Sequence, residues 1–325
     1  MLKKSSFLFA INLLSINYIS WIAAVAIFLH LNIGEVRPLS NDSSQQPQGN
    51  HFSDSIAPRP EDLLLVQGGV FQMGCPPAYP PGCYNDEKPN HTVRISDFHL
   101  SRYEVTNAEF VRFLNEQRSS ISPDAKQNTF RSKGHNFLYL QSPHSTVKQQ
   151  IGYENGLFYA IKGFEQHPAM RLSWFAAQAY CHWLRQKTGQ PYRLPTEAEW
   201  EWAARGGRQS KGYFYAGSNQ VDSVAWFWDN SNKTSHPIAQ KQPNELGFHD
   251  LSGNVWEWCA DWEGPYVDST QVNPSGPNIG KRRVARGGSW NYEAWNCRVI
   301  DRYYVEPESM RHVVGFRVAL GKIKQ

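Results

Sequence analysis

The chain has 325 residues, with 33 basic and 29 acidic side chains and a formal net charge of +4. That balance lacks the basic footprint a nucleic acid requires, so no nucleic-acid partner is expected. Apolar residues reach 40% and the 12 Trp, 15 Tyr and 17 Phe are an unusual share, enough large rings to fill a core with little regular secondary structure.

At the N-terminus, Lys3 and Lys4 precede an uncharged stretch from Ser5 to Gly34 that is mainly apolar from Phe7 to Leu31. The run is long enough to cross a hydrocarbon core of about 30 Å as one transmembrane helix, and longer than the apolar region of about 7–15 residues in a cleaved signal peptide. It has no clear small-residue cleavage site and no lipoprotein Cys. Residues 1–34 are therefore read as an uncleaved signal anchor, with a cleaved signal peptide as the alternative. Lys3 and Lys4 stay on the cytoplasmic side by the positive-inside rule. The main domain then lies outside the cytoplasm, on the periplasmic or extracellular side. Residues 35–60 are polar and rich in Pro and Ser, and read as a flexible tether.

Residues 61–325 carry no second linker and no repeat, and are read as one domain. LLLVQGGVFQMG suggests an edge strand with a tight turn, and HTVRISDFHLSRYEVT alternates like a strand pair. Thr106 and Glu109 form a capping box that opens a helix running to about Gln117. Residues 118–165 are polar and irregular and look like a long surface excursion. Ser173 caps a second helix that stops at Gly189, and Thr196 with Glu199 opens a third. Beyond Gly206 the pattern is short strands and loops, closing with a terminal strand GFRVAL. The fold class is irregular α+β.

Five cysteines are present: Cys75, Cys83, Cys181, Cys259 and Cys297. Cys75 and Cys83 flank a short Pro-rich loop, so a local disulfide is the simplest reading. Cys181 falls on the apolar face of the second helix with Trp174, Ala177 and Leu184, as a small buried hydrophobe would. The 11 histidines are scattered without H-x-x-x-H, H-x-D or H-x-E spacing, and surface or hydrogen-bonded roles are the reading preferred to an iron site.

Six blocks stand in a specific order: GGVFQMG, EVTNAEF, RLPTEAEWEWAARGG, GFHDLSGNVWEWCADW, RGGSW and GFRVAL. Together they resemble the formylglycine-generating enzyme, or sulfatase-modifying factor, family over roughly residues 61–320. The resemblance implies an irregular mixed fold distantly related to C-type lectins. It also implies a structural Ca²⁺ held by Asp250, the backbone carbonyls of Gly253 and Val255, and Glu257. A hard cation takes several oxygen ligands at flexible spacing, and Gly253 permits the turn. The alternative is that Asp250 and Glu257 are solvated loop acids beside a core Trp256. A second Ca²⁺ site of the family needs Asn after an Ala; here Ala225 is followed by Trp226, so that site is expected to be lost or altered.

Family oxidases place two cysteines three and eight positions after the Ser of RGGS, where they bind Cu(I) as soft thiolates. Counted from Ser289, these positions hold Tyr292 and Cys297. One thiolate is missing, so the literal conversion of Cys to formylglycine is not expected, and Cu or Fe as a redox metal is left open. The resemblance suggests a Cys259–Cys297 disulfide; a buried free thiol and a catalytic or metal-bound role for Cys297 are the alternatives. It also places Arg286, Ser289, Trp290, Asn254 and Trp258 in or near a substrate groove, against the alternative that such Trp and Arg side chains form packed cation–π ladders. Three functions follow: an O₂-dependent oxidoreductase of the formylglycine-generating type, another metal-dependent oxidative tailoring enzyme, or a non-catalytic Ca²⁺-stabilised module. The last would bind a peptide, glycan or small-molecule ligand at the cell envelope.

Overall fold

The computed structural model describes residues 62–77, 82–124, 128–140 and 146–321. The expected membrane segment and tether lie outside these residues; among the described residues no helix is long and apolar enough to cross a membrane.

Three helices form where capping chemistry placed them. Helix α1 (Asn107–Glu116) begins at Thr106, whose side chain accepts from the Glu109 N–H while the Glu109 carboxylate accepts from the Thr106 N–H. This reciprocal cap satisfies donors that the first turn leaves without intrahelical partners. Helix α2 (Trp174–Thr188) is capped by Ser173 and ends at Gly189 in the left-handed conformation. Helix α3 (Glu197–Ala204) repeats the capping box with Thr196 and Glu199. A short helical turn, α4, spans Val221–Val224.

The strands are short. One four-stranded sheet runs Leu63–Val66, Phe98–Ser101, Ala319–Leu320, Tyr192–Arg193; a second runs Arg302–Val305, Arg283–Arg286, Trp256–Trp262, Val314–Gly315. In the second sheet Glu257 lies opposite Arg286 on one side and Gly315 on the other. The segment LLLVQGGVFQMG forms two edge strands in different sheets, Leu63–Val66 and Gly69–Met73. The expected strand pair at 91–106 also divides: His91–Ile95 sits between Gly69–Met73 and Gln271–Val272, whereas Phe98–Ser101 joins the first sheet. Residues 118–165 are more than a surface excursion. They fold into a three-stranded sheet (Ser122–Asp124, Thr129–Ser132, His135–Tyr139) and a hairpin (Ile151–Glu154, Leu157–Ala160). Their polar composition concealed a few well-placed anchors, among them Phe130, Phe137, Ile151 and Phe158, which are buried.

One core cluster gathers Phe110, Phe113, Tyr180, Trp183 and Phe316 around α1 and α2; another gathers Val66, Leu100, Trp200, Phe248 and Ile300 around α3. Every residue of α3 is buried, including Glu197, Glu199 and Glu201. Those carboxylates are tolerated because arginines meet them. Arg286 bonds Glu197 and Glu201 at 2.7 Å each, Arg302 bonds Glu197 at 2.6 Å, and Arg193 bonds Glu199 at 2.6 Å. Such pairs hold only when each charge is matched and its remaining hydrogen-bonding positions are filled. Cation–π contacts add to the framework, with Arg283 3.7 Å from the Trp174 ring centroid and 3.4 Å from that of Trp262.

Cys75 and Cys83 form the local disulfide. Cys181 is buried as expected, and it is a free thiol together with Cys259 and Cys297. The suggested Cys259–Cys297 bridge is therefore not formed. Cys259 packs in the cluster around α3, whereas Cys297 packs with Ala225 and Phe227 in a separate one, so each thiol is held among different neighbours.

Candidate functional site

The RGGSW segment turns away from its strand through Gly287 and Gly288, both at positive φ. A Cβ on Gly288 would lie 2.7 Å from the Cys297 sulfur, so the glycine lets this turn press directly on Cys297. Cys297 is fully buried, and burial raises its thiol well above the ordinary range, with Asp301 adding to the effect. Such a thiol stays protonated and is a poor nucleophile or metal ligand.

Tyr292 is half-buried. Its ring meets Trp256 at 5.5 Å and Tyr303 at 5.6 Å, both edge-on, and its carbonyl accepts from the Trp228 N–H at 2.8 Å. Burial, then the hydrogen bond with Tyr303, pushes its phenol upward. Trp228, Asn291, Tyr292, Glu293 and Asn296 line an open depression of about 390 Å³, and Trp228 is 48% exposed within it. No Lys or Arg is among these lining residues.

The five expected groove residues lie inside the protein instead. Arg286, Ser289, Trp290, Asn254 and Trp258 are each at most 1% exposed. Most of their polar atoms are spent internally, Arg286 Nε being buried without a partner. Arg286 serves Glu197, Glu201 and the Val299 carbonyl, the Trp290 indole donates to the His312 carbonyl, and the Trp258 indole to the Leu172 carbonyl. Asn254 accepts from the His236 N–H and donates to Glu104. These side chains belong to the packed interior, and none of them lines the depression.

The expected cation loop is a left-handed turn. Asp250, Gly253 and Asn254 all have positive φ, a region open to Gly and tolerated by Asp and Asn. A Cβ on Gly253 would come within 2.4 Å of the Trp226 carbonyl oxygen, which restricts the position to glycine. Asp250 is buried: one oxygen accepts from the Ala239 N–H at 2.8 Å, while Oδ1 has no partner. Glu257 is more occupied, accepting from Arg317 Nε and Nη2 and from the Trp200 indole. A carboxylate offers about four acceptor sites, so one direction is left for an ion.

Glu104, absent from the sequence-based ligand set, joins this group from 150 positions away through its 3.3 Å contact with Asn254. It is 2% exposed and its Oε1 also has no partner. Burial, then Asp250, then Glu257 raise its carboxyl well above the usual range. Asp250 is likewise raised, first by burial. Three acids surround one guanidinium, that of Arg317, and two carboxylate oxygens are buried without partners. The donor set suits a divalent cation: charge deficit, hard oxygen donors and orphaned acceptors coincide. Glu104, Asp250 and Glu257 would hold it with the Gly253 and Val255 carbonyls, and the ion would supply a cross-link between distant segments.

At the expected second site, Trp226 stacks on His236 with centroids 3.7 Å apart and has the Lys241 ammonium 4.0 Å from its ring centroid. Elsewhere among the described residues, Cys75, Cys83 and Glu87 bring three donor groups within 4.8 Å of one another, but the disulfide consumes both sulfurs. Glu87 pairs instead with buried Arg298 at 2.7 Å. Sequence spacing held two usable clues to the missed partners: Glu197 and Glu201 share a face of α3 at i, i+4, and Arg317 is the sole charge in GFRVAL.

A family model described as "Sulfatase-modifying factor enzyme 1-like domain" matches residues 50–322. The chain is similar to the formylglycine-generating enzyme of Streptomyces coelicolor, at 34% identity over 289 residues, covering 79% of this chain and 88% of that protein. It is also similar to the formylglycine-generating enzyme of Bos taurus, at 30% identity over 290 residues, covering 80% and 75%. Among solved structures, Treponema denticola variable protein 1 matches with a TM-score of 0.59 and 25% identity, covering 79% of this chain and 94% of that one.

Proposed function

The chain belongs to the sulfatase-modifying factor family, and from that premise we propose that it is an exported, membrane-anchored member that binds a ligand without forming formylglycine. The surface depression at Tyr292 is the binding site in this reading, with a peptide, glycan or small molecule of the cell envelope as ligand. A Ca²⁺ at Glu104, Asp250 and Glu257 braces the packed interior.

One observation carries the non-oxidase part. The position three residues after Ser289 holds a phenol packed against Trp256 and Tyr303, and the remaining thiol, Cys297, is fully buried and pushed toward its protonated form. Cu(I) needs two accessible thiolates, so this pair does not fit the ion. Support for binding comes from the half-exposed Trp228 beside Asn291, Glu293 and Asn296, an aromatic face next to amides and a carboxylate. Rings of this kind supply contact area at low entropic cost.

The test is direct. Wild-type protein supplied with Cu(I) and O₂ should leave a Cys-x-Pro-x-Arg peptide unoxidised, and aldehyde formation would overturn the reading. Because Cys297 is fully buried and held toward its protonated form, Tyr292→Cys alone should not gain Cu(I) binding.

A further inference from the structure

Beside the acidic cluster lies a partly open pocket of about 100 Å³, whose walls include Asp62, Tyr103, Glu104, Thr106, Glu109 and Ile238. That volume corresponds to roughly three water molecules, enough for an ion shedding part of its hydration shell. Glu104 belongs both to this wall and to the buried cluster, and it is the lining residue with an orphaned carboxylate oxygen. Ile238, another lining residue, directly precedes Ala239, whose N–H holds Asp250. The pocket thus touches the surroundings of both acids that have an unpartnered oxygen.

Charge favours the same use. Asp62 and Glu109 add carboxylates to the lining, while no Lys, Arg or His is among the lining residues. A narrow cleft lined by one sign of charge raises the local concentration of the opposite ion and lowers the cost of its approach. With every member of the cluster buried, an ion without such a path would exchange only when the protein opened.

We propose that this pocket is the vestibule through which a divalent cation enters and leaves the Glu104–Asp250 site in the folded protein. The inference rests on the cation reading of that cluster, and adds that the ion is exchangeable.

The experiment uses the full chain in detergent, with Ca²⁺ and the luminescent mimic Tb³⁺ as probes. Stopped-flow mixing with a chelator gives the release rate, which is compared with the global unfolding rate under the same conditions. Release should be at least about tenfold faster than unfolding. Ile238→Trp should slow binding and release by the same factor and leave the Kd within about twofold, as a plug in a path does. Asp62→Asn should lower the association rate and flatten its dependence on salt, which provides a second readout if Ile238→Trp does not fold. Release at the unfolding rate, or unchanged rates in the variants, would overturn the vestibule and leave the cation reading standing. A wild-type protein that binds neither Ca²⁺ nor Tb³⁺ would overturn both.

Discussion

The Arg286 guanidinium meets the Glu201 carboxylate at 2.7 Å with both side chains at 0% exposure. Glu257, opposite Arg286 in the sheet, pairs with Arg317 in the same buried fashion. The family motifs WEW, RGG and GFR are thus the visible parts of an internal ion lattice that ties strands and α3 together.

Arg286→Met should therefore destabilise the protein by about 3–5 kcal/mol, because Glu197 and Glu201 lose a shared partner while staying buried. Arg286→Lys should recover only part of this, since an ammonium cannot reproduce the forked contacts to two carboxylates and the Val299 carbonyl. Urea unfolding measures both; a loss below about 1 kcal/mol in Arg286→Met would contradict the lattice.

Thiol chemistry separates the observed cysteine state from the one the resemblance suggested. Unreduced, denatured protein should alkylate at Cys181, Cys259 and Cys297, leaving Cys75 and Cys83 protected. In native protein all three free thiols should react slowly, because each is at most 1% exposed. Peptide mapping that finds only Cys181 labelled after denaturation would restore the Cys259–Cys297 bridge.

Above about pH 6.5, where the lowered His167, His236, His249 and His312 no longer oppose it, stability should fall with rising pH in chelated protein. Burial raises Asp261 to about 8, with Glu197 adding to it, and burial raises Asp301 to about 7. Both folded-state values exceed the ordinary 3.8, so at these two groups the native state binds more protons than the unfolded chain between about 4 and 8. The contribution is complete below the lower limit and is lost as pH rises through the folded values. Asp261→Asn, which keeps an acceptor for the Glu197 N–H, should flatten the upper part of this slope in melting curves taken from pH 4.5 to 8.5 (about the titrating window).

Chelation should lower the Tm, since an ion bound only by the native state stabilises it by about 2.7 kcal/mol at a hundredfold excess over its Kd. Glu104→Gln and Asp250→Asn should each abolish the difference between Ca²⁺-loaded and chelated melting curves. Identical curves for wild-type protein with and without Ca²⁺ would remove the cation from this site.

Membrane anchoring is tested by fractionation. The full chain should resist an alkaline wash, and a C-terminal reporter active only outside the cytoplasm should be active. Recovery of a soluble chain shortened to about residue 35 would favour a cleaved signal instead.

Local chemistry was legible in the sequence wherever a few neighbouring residues complete an interaction. Thr106 with Glu109, Thr196 with Glu199, and Ser173 with Gly189 marked the helices because capping joins positions three apart or ends a helix at one residue. Cys75 and Cys83 could be paired for the same reason, with only a short loop between them. The ordered motif blocks also carried the family. The tertiary structure alone decided what those blocks face. It separated Cys259 from Cys297, folded residues 118–165 onto buried Phe130 and Phe158, and enclosed the expected groove residues. It also brought Glu104 to Asn254 across 150 positions. Burial and long-range charge pairing depend on how sheets and helices pack, and no spacing along the chain encodes which distant carboxylate an arginine or an ion will meet.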